Sequence, residues 1–166
     1  MHTLKRLLLL SLVVVLPSAA VAQSSNSSSR NSSSRNSSGS NTVLQDRSSG
    51  RYYDSKGSFS GRSDSSGNTT RLYDSRGSFA GRVQSTDEKQ SRLYDSRGSY
   101  SGRADTSGKD TRFYDSKGSL SGRSTTSGST TRFYDSKGSY SGKSESSGNT
   151  TRYYDSSGRY TGSKKK

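Results

Sequence analysis

Six times along this chain a tyrosine is followed at once by an aspartate, at Tyr53, Tyr73, Tyr94, Tyr114, Tyr134 and Tyr154. Two positions before each tyrosine stands an arginine: Arg51, Arg71, Arg92, Arg112, Arg132 and Arg152. Two kinds of chemistry could draw on such a set. Catalysis by the carboxylates and the many serines would need a base or a nucleophile with a suitable partner. The only histidine is His2 and there is no cysteine, which excludes histidine acid–base catalysis, cysteine nucleophiles and zinc sites of the usual ligand types. A calcium loop wants oxygen ligands at alternating positions, but Lys56, Arg76, Arg97, Lys117 and Lys137 stand where a ligand would be needed. No catalytic, cofactor or metal site is expected, and the chain is read as a non-enzyme.

The second chemistry is binding. Aromatic faces stack on rings, and guanidinium groups meet phosphate, sulfate or carboxylate. The candidate polymer-binding stripe is Tyr53, Tyr73, Tyr94, Tyr100, Tyr114, Tyr134, Tyr140 and Tyr154 with Arg51, Arg71, Arg92, Arg112, Arg132 and Arg152. A purely structural use of the same arginines is to stack on neighbouring aromatics, at about 0.5–1 kcal/mol each when exposed.

The elements that position this stripe follow from periodicity. Tyr-Asp-Ser-x-Gly returns at steps of 20, 21, 20, 20 and 20 residues, with glycines such as Gly57, Gly67 and Gly77 every ten. Self-similarity at a fixed period marks a repeat architecture. In Asp135-Ser136-Lys137-Gly138 the aspartate can bond its own backbone and the glycine can take positive φ, which suits a three-residue hairpin loop. Glu145-Ser146-Ser147-Gly148 carries similar residues, so each decapeptide reads as one strand and one reversal. The fold expected is all-β: an antiparallel meander of short hairpins, about twelve strands in a thin single sheet free to curl.

With three-residue loops at both turns, Tyr134 faces Tyr140, Phe133 faces Ser141 and Arg132 faces Gly142. Across the next turn Glu145 faces Asn149, Lys143 faces Thr151 and Tyr140 faces Tyr154. One continuous ladder would then run from Tyr53 to Tyr160, ~55 Å at the usual strand spacing. The opposite face would carry Tyr52, Leu72, Leu93, Phe113, Phe133 and Tyr153 beside Arg62, Arg82, Arg103, Arg123 and Lys143, partly solvated. The alternative is a parallel β-solenoid with 20 residues per coil, which would stack Arg112 on Arg132. The meander interleaves Gly122 between them and is preferred, because like charges on adjacent strands are unfavourable. The stretch Gln84 to Gln90, one residue longer and without glycine, belongs in a loop.

Composition sets the boundaries. Residues 1–22 combine Lys5 and Arg6, the apolar run Leu7 to Leu16 and the ending Ala20-Val21-Ala22, the pattern of a signal peptide cleaved between Ala22 and Gln23. That run is too short to span about 30 Å of hydrocarbon, so no membrane span is expected after cleavage. Residues 23–50 read as a disordered Ser/Asn-rich linker, 51–162 as the repeat domain and 163–166 as a basic tail. The whole chain has 27 Lys and Arg against 13 acids. Without cysteine there are no disulfides, and with so few aliphatic residues a conventional two-layer core is excluded.

The copy Tyr53-Asp54-Ser55-Lys56-Gly57, then Asp64-Ser65-Ser66-Gly67-Asn68-Thr69-Thr70, then Tyr73-Asp74, resembles the YD repeats of bacterial Rhs-type and teneurin-like proteins. About two-thirds of the chain shares the likeness, although Ser-[FYL]-Ser-Gly replaces the usual Arg-Leu-Thr. In that family similar hairpins wind into large shells around a cargo; here the repeats are too few for a shell. The chain is also similar to short exported bacterial repeat proteins of unassigned activity.

The expectation is therefore a secreted or periplasmic protein of the envelope or matrix, binding polysaccharide, lipopolysaccharide or DNA through the Tyr/Arg stripe. The alternatives are self-association through open sheet edges into fibres, and a disordered elastic chain cross-linked at its tyrosines.

Overall fold

The computed structural model describes residues 48–166. The leader, its cleavage point at Ala22 and Gln23, and nearly all of the linker lie outside them. Twelve strands follow one another: β1 (Gly50–Asp54), β2 (Phe59–Ser66), β3 (Thr69–Asp74), β4 (Phe79–Ser85), β5 (Gln90–Asp95), β6 (Tyr100–Ser107), β7 (Asp110–Asp115), β8 (Leu120–Ser127), β9 (Thr130–Asp135), β10 (Tyr140–Ser147), β11 (Thr150–Asp155) and β12 (Tyr160–Lys165). Each pairs antiparallel with the next, as the meander requires, and β12 pairs with β1, so the sheet curls into a closed barrel. The parallel solenoid is thereby set aside. Among the described residues closure leaves no edge strand, so self-association through open edges loses the surface it needed.

The Asp-Ser-x-Gly reversal forms as its residues dictate. Gly138 donates to the Asp135 carbonyl at 3.1 Å and sits at φ 85°, while Asp135 Oδ1 accepts from the backbone of Lys137 and Ser139. The other reversal differs from expectation. Ser147 pairs with Thr150, leaving only Gly148-Asn149 in the turn, so Lys143 faces Tyr154 instead of Thr151 and Gly142 faces Asp155. A glycine at the first turn position, not the last, makes a two-residue loop.

A second device separates the expected register from the real one. Tyr134 does face Tyr140, but Phe133 faces Gly142, because Ser141 is extruded as a β-bulge. The bulge recurs in every Asp-Ser-x-Gly hairpin. One extra residue shifts the rest of the strand to the other face. Arg62, Arg82, Arg103, Arg123 and Lys143, expected beside Phe113 and Phe133, are turned to the outer wall instead.

What reading along one face made a partly solvated surface is the barrel interior. Tyr52, Leu72, Leu93, Phe113 and Phe133 come from odd strands and are at most 4% exposed. Directly opposite them the even strands supply Ser63, Val83, Ala104, Ser124 and Lys164. Except at Lys164, large beside small fits the concave wall. Toward the two-residue turns a polar layer follows, in which Ser65 bonds Thr70, Thr106 bonds Thr111, Thr126 bonds Thr131 and Ser146 bonds Thr151 at 2.9–3.1 Å.

The register explains closure. From Leu72 the pairing runs to Gly81 and on to Asp95, two residues beyond Leu93, the equivalent of Leu72. Repeated around six hairpins, this displacement gives a shear close to the strand number. Strands then tilt by about 40° around a barrel ~20 Å across. The side chains of the chain itself occupy this interior, so the large cargo shell of the resembled family has no counterpart here.

At the seam, the expected basic tail is strand. Lys164 is 1% exposed, its ammonium donating to the carbonyl and hydroxyl of Ser48 at 2.7 and 3.0 Å and lying 5.6 Å from the Tyr52 ring. A cation placed where the first and last strands meet acts as a latch.

Candidate functional site: an aromatic and cationic belt

The outer wall near the Asp-Ser-x-Gly turns carries one large apolar pair per hairpin, two rings in five of the six. Tyr53 with Phe59, Tyr73 with Phe79, Tyr94 with Tyr100, Tyr134 with Tyr140 and Tyr154 with Tyr160 meet edge to face, centroids 6.1–6.2 Å apart. Tyr114 faces Leu120 in the sixth. The ladder is thus six separate pairs, because the two-residue turn carries Tyr140 away from Tyr154. Phe59, Phe79, Tyr100, Leu120 and Tyr140 remain about 40% exposed.

A cation stands between one pair and the next. The guanidinium carbons of Arg62, Arg82, Arg103 and Arg123 lie 4.2–4.6 Å from the ring centroids of Tyr73, Tyr94, Tyr114 and Tyr134. Lys143 reaches Tyr154 at 5.2 Å, and across the seam Lys165 reaches Tyr53 at 5.3 Å. The belt of ring pair and cation is therefore continuous around the barrel.

All the tyrosines expected in the stripe lie in this belt. Arg51, Arg71, Arg92, Arg112, Arg132 and Arg152 are also on the outer wall and exposed, but none of them is the stacking cation. On five strands that role falls to the cation directly after the bulge glycine, which sequence reasoning placed on the wrong face, and on β12 it falls to Lys165. The available signal was the glycine of Ser-Gly-Arg inside a strand pattern, a usual mark of a bulge. Nor does glycine separate the arginines: Arg51 faces Arg62, Arg71 faces Arg82, Arg92 faces Arg103, Arg112 faces Arg123 and Arg132 faces Lys143. The meander is correct although its expected charge spacing is not.

Like charges opposite one another cost up to ~1 kcal/mol per pair, while a stacked exposed cation returns about 0.5–1. The two nearly cancel, so the rings hold the cations in place without neutralising them. Three acids lie in the next row. Asp64 meets Arg62 at 3.3 Å, Asp105 meets Arg103 at 3.1 Å and Glu145 meets Lys143 at 2.6 Å. Hydrogen bonding to Asp105 holds the Arg103 guanidinium above its usual range, and Glu145 does the same for Lys143. The six turn aspartates are occupied differently: Asp54, Asp74, Asp95, Asp115, Asp135 and Asp155 each accept two backbone N–H bonds.

No protein-family model matches the chain, and no curated protein does. The belt is interpreted from its own chemistry.

Proposed function

We propose that this is an exported, non-enzymatic repeat protein of the cell envelope or extracellular matrix that binds anionic polymers through its Tyr/Arg belt. The observation carrying this reading is the row of directly opposed cations on the outer wall, half-buried or exposed, held upright on aromatic rings. Such a row lacks enough acid of its own and is relieved by an external anion. Exposed ring edges beside each cation suit sugar faces, and the net positive charge steers anionic chains toward the barrel. The whole circumference is available, so a bound polymer gains from several weak contacts at once.

Retention on lipopolysaccharide, acidic polysaccharide or DNA supports, measured as salt is raised, tests the reading. Retention of the full chain is expected on at least the acidic polysaccharide, falling steeply between about 50 and 200 mM salt as counterions compete. Absent binding, or binding indifferent to salt, on all three supports would refute it.

A further inference from the structure

The six stacked cations are not equivalent. Around the barrel the residue two positions after each even-strand cation alternates: Asp64, Gln84, Asp105, Thr125 and Glu145, with Lys165 at the matching place on β12. Acid therefore neutralises the cation on β2, β6 and β10. On β4 and β8 it is replaced by a neutral side chain; on β12 the cation's usual place opposite the ring is taken by Ser163, and Lys165, standing where the acid would be, is itself the stacked cation. Arg82 lies on Tyr94 with Arg71 directly opposite and with Gln84 facing Arg92. Arg123 lies on Tyr134 with Arg112 opposite and with Thr125 facing Arg132. At the seam Lys165 lies over Tyr53 and faces Arg51, which in turn faces Arg62. The acid nearest the β8 position, Asp110, accepts a hydrogen bond from the Thr125 hydroxyl at 2.6 Å.

We infer that the belt holds three anion seats, built on Arg82/Arg92, Arg123/Arg132 and Lys165/Arg51, which take the charged groups of a flexible acidic polysaccharide, while the three acid-paired positions between them stay silent. This rests on the polymer-binding reading above and sharpens it. Each seat offers one cation fixed by a ring and a second close by, without a carboxylate in ion-pair contact with either. Seats recur every fourth strand, ~19 Å apart measured across the strands. Only a chain that bends around a barrel ~20 Å wide can occupy two of them. Duplex DNA, stiff over about 150 base pairs, touches such a surface tangentially and meets one seat at a time.

The silent positions supply the substitutions for a test, with dextran sulfate as the probe and the full chain as the protein. Gln84→Glu with Thr125→Glu puts an acid into two seats and is expected to weaken binding about tenfold, as loss of two exposed ion pairs would. Asn68→Asp with Asn149→Asp makes the same charge change in the two-residue turns and is expected to stay within about twofold of the parent. Asp64→Gln with Asp105→Thr opens two silent positions and is expected to tighten binding severalfold, an effect no folding defect imitates. If both charge-adding pairs weaken binding equally, or opening the silent positions changes nothing beyond a matched charge control, the seats are overturned while polymer binding stands. If a duplex DNA of equal charge binds as tightly as dextran sulfate, the assignment to a flexible polysaccharide is overturned. If the parent chain does not bind dextran sulfate at all, the seats fall together with the reading beneath them.

Discussion

Deleting Tyr160 to Lys166 is expected to convert the barrel into an open sheet that assembles with its own copies. β12 supplies backbone partners to Arg51–Asp54 on one side and to Thr150–Tyr154 on the other. Its neighbours cannot replace it by pairing together in the same manner, since β1 and β11 run in the same direction. Removal also takes away Lys164, which covers Tyr52 and bonds Ser48. Two unsatisfied strand edges and a slice of interior would face water, a template for strand addition. Light scattering should report particles that grow with concentration, whereas the full chain keeps one size. An unchanged, non-associating species after deletion would contradict the seam as drawn. The fibre-forming behaviour expected from open edges thus becomes a property of the damaged barrel.

The second large effect falls on the bulge glycines. Gly102 sits at φ 152°, and a Cβ there would come 2.3 Å from the Tyr114 carbonyl oxygen. Gly142 and Gly162 meet the carbonyls of Tyr154 and Tyr53 at the same distance. The obstacle is backbone, which cannot swing aside. Gly102→Ala is expected to cost about 4 kcal/mol, combining strained φ with overpacking. Gly98→Ala is the internal comparison: its φ is +83° but nothing lies within 4 Å of the added carbon. Conformational strain alone, about 1 kcal/mol, is expected there. Urea unfolding of the two variants measures the difference, and equal losses would mean that the close approach at Gly102 is absent.

How far the sequence revealed this arrangement depends on how local each cause is. The Asp-Ser-x-Gly turn was legible because Asp135 and Gly138 meet their partners within five residues. From it followed the antiparallel meander, the strand number and the pairing of Tyr134 with Tyr140. Ser147-Gly148-Asn149-Thr150 was misread because the glycine was taken to close the loop when it opens it. That error, with the unseen bulge at Ser141, joined six separate pairs into one ladder and exchanged the two faces beyond the bulge. Even so, the tyrosines of the stripe do share one face, since they lie before the bulge and their outward direction does not depend on it. The arginines beyond the bulge were displaced for the converse reason. Closure had no local signal at all. It depends on a two-residue displacement accumulated over six hairpins, and on a lysine that looks like part of a solvated tail until its neighbour across the seam is known.

The belt exists as a ring only if β1 and β12 are neighbours, and the absence of cysteine from the chain allows that contact to be read directly. Arg51 and Lys165 face each other on the outer wall. With both replaced by cysteine, mild oxidation at micromolar protein should consume both thiols within single molecules, since bridged residues need Cα atoms within about 7 Å. The pair Arg51→Cys with Arg112→Cys, on opposite walls, should stay reduced. Free thiols or only intermolecular links in the first pair, or equal bridging in both, would contradict the closed barrel and the belt that encircles it.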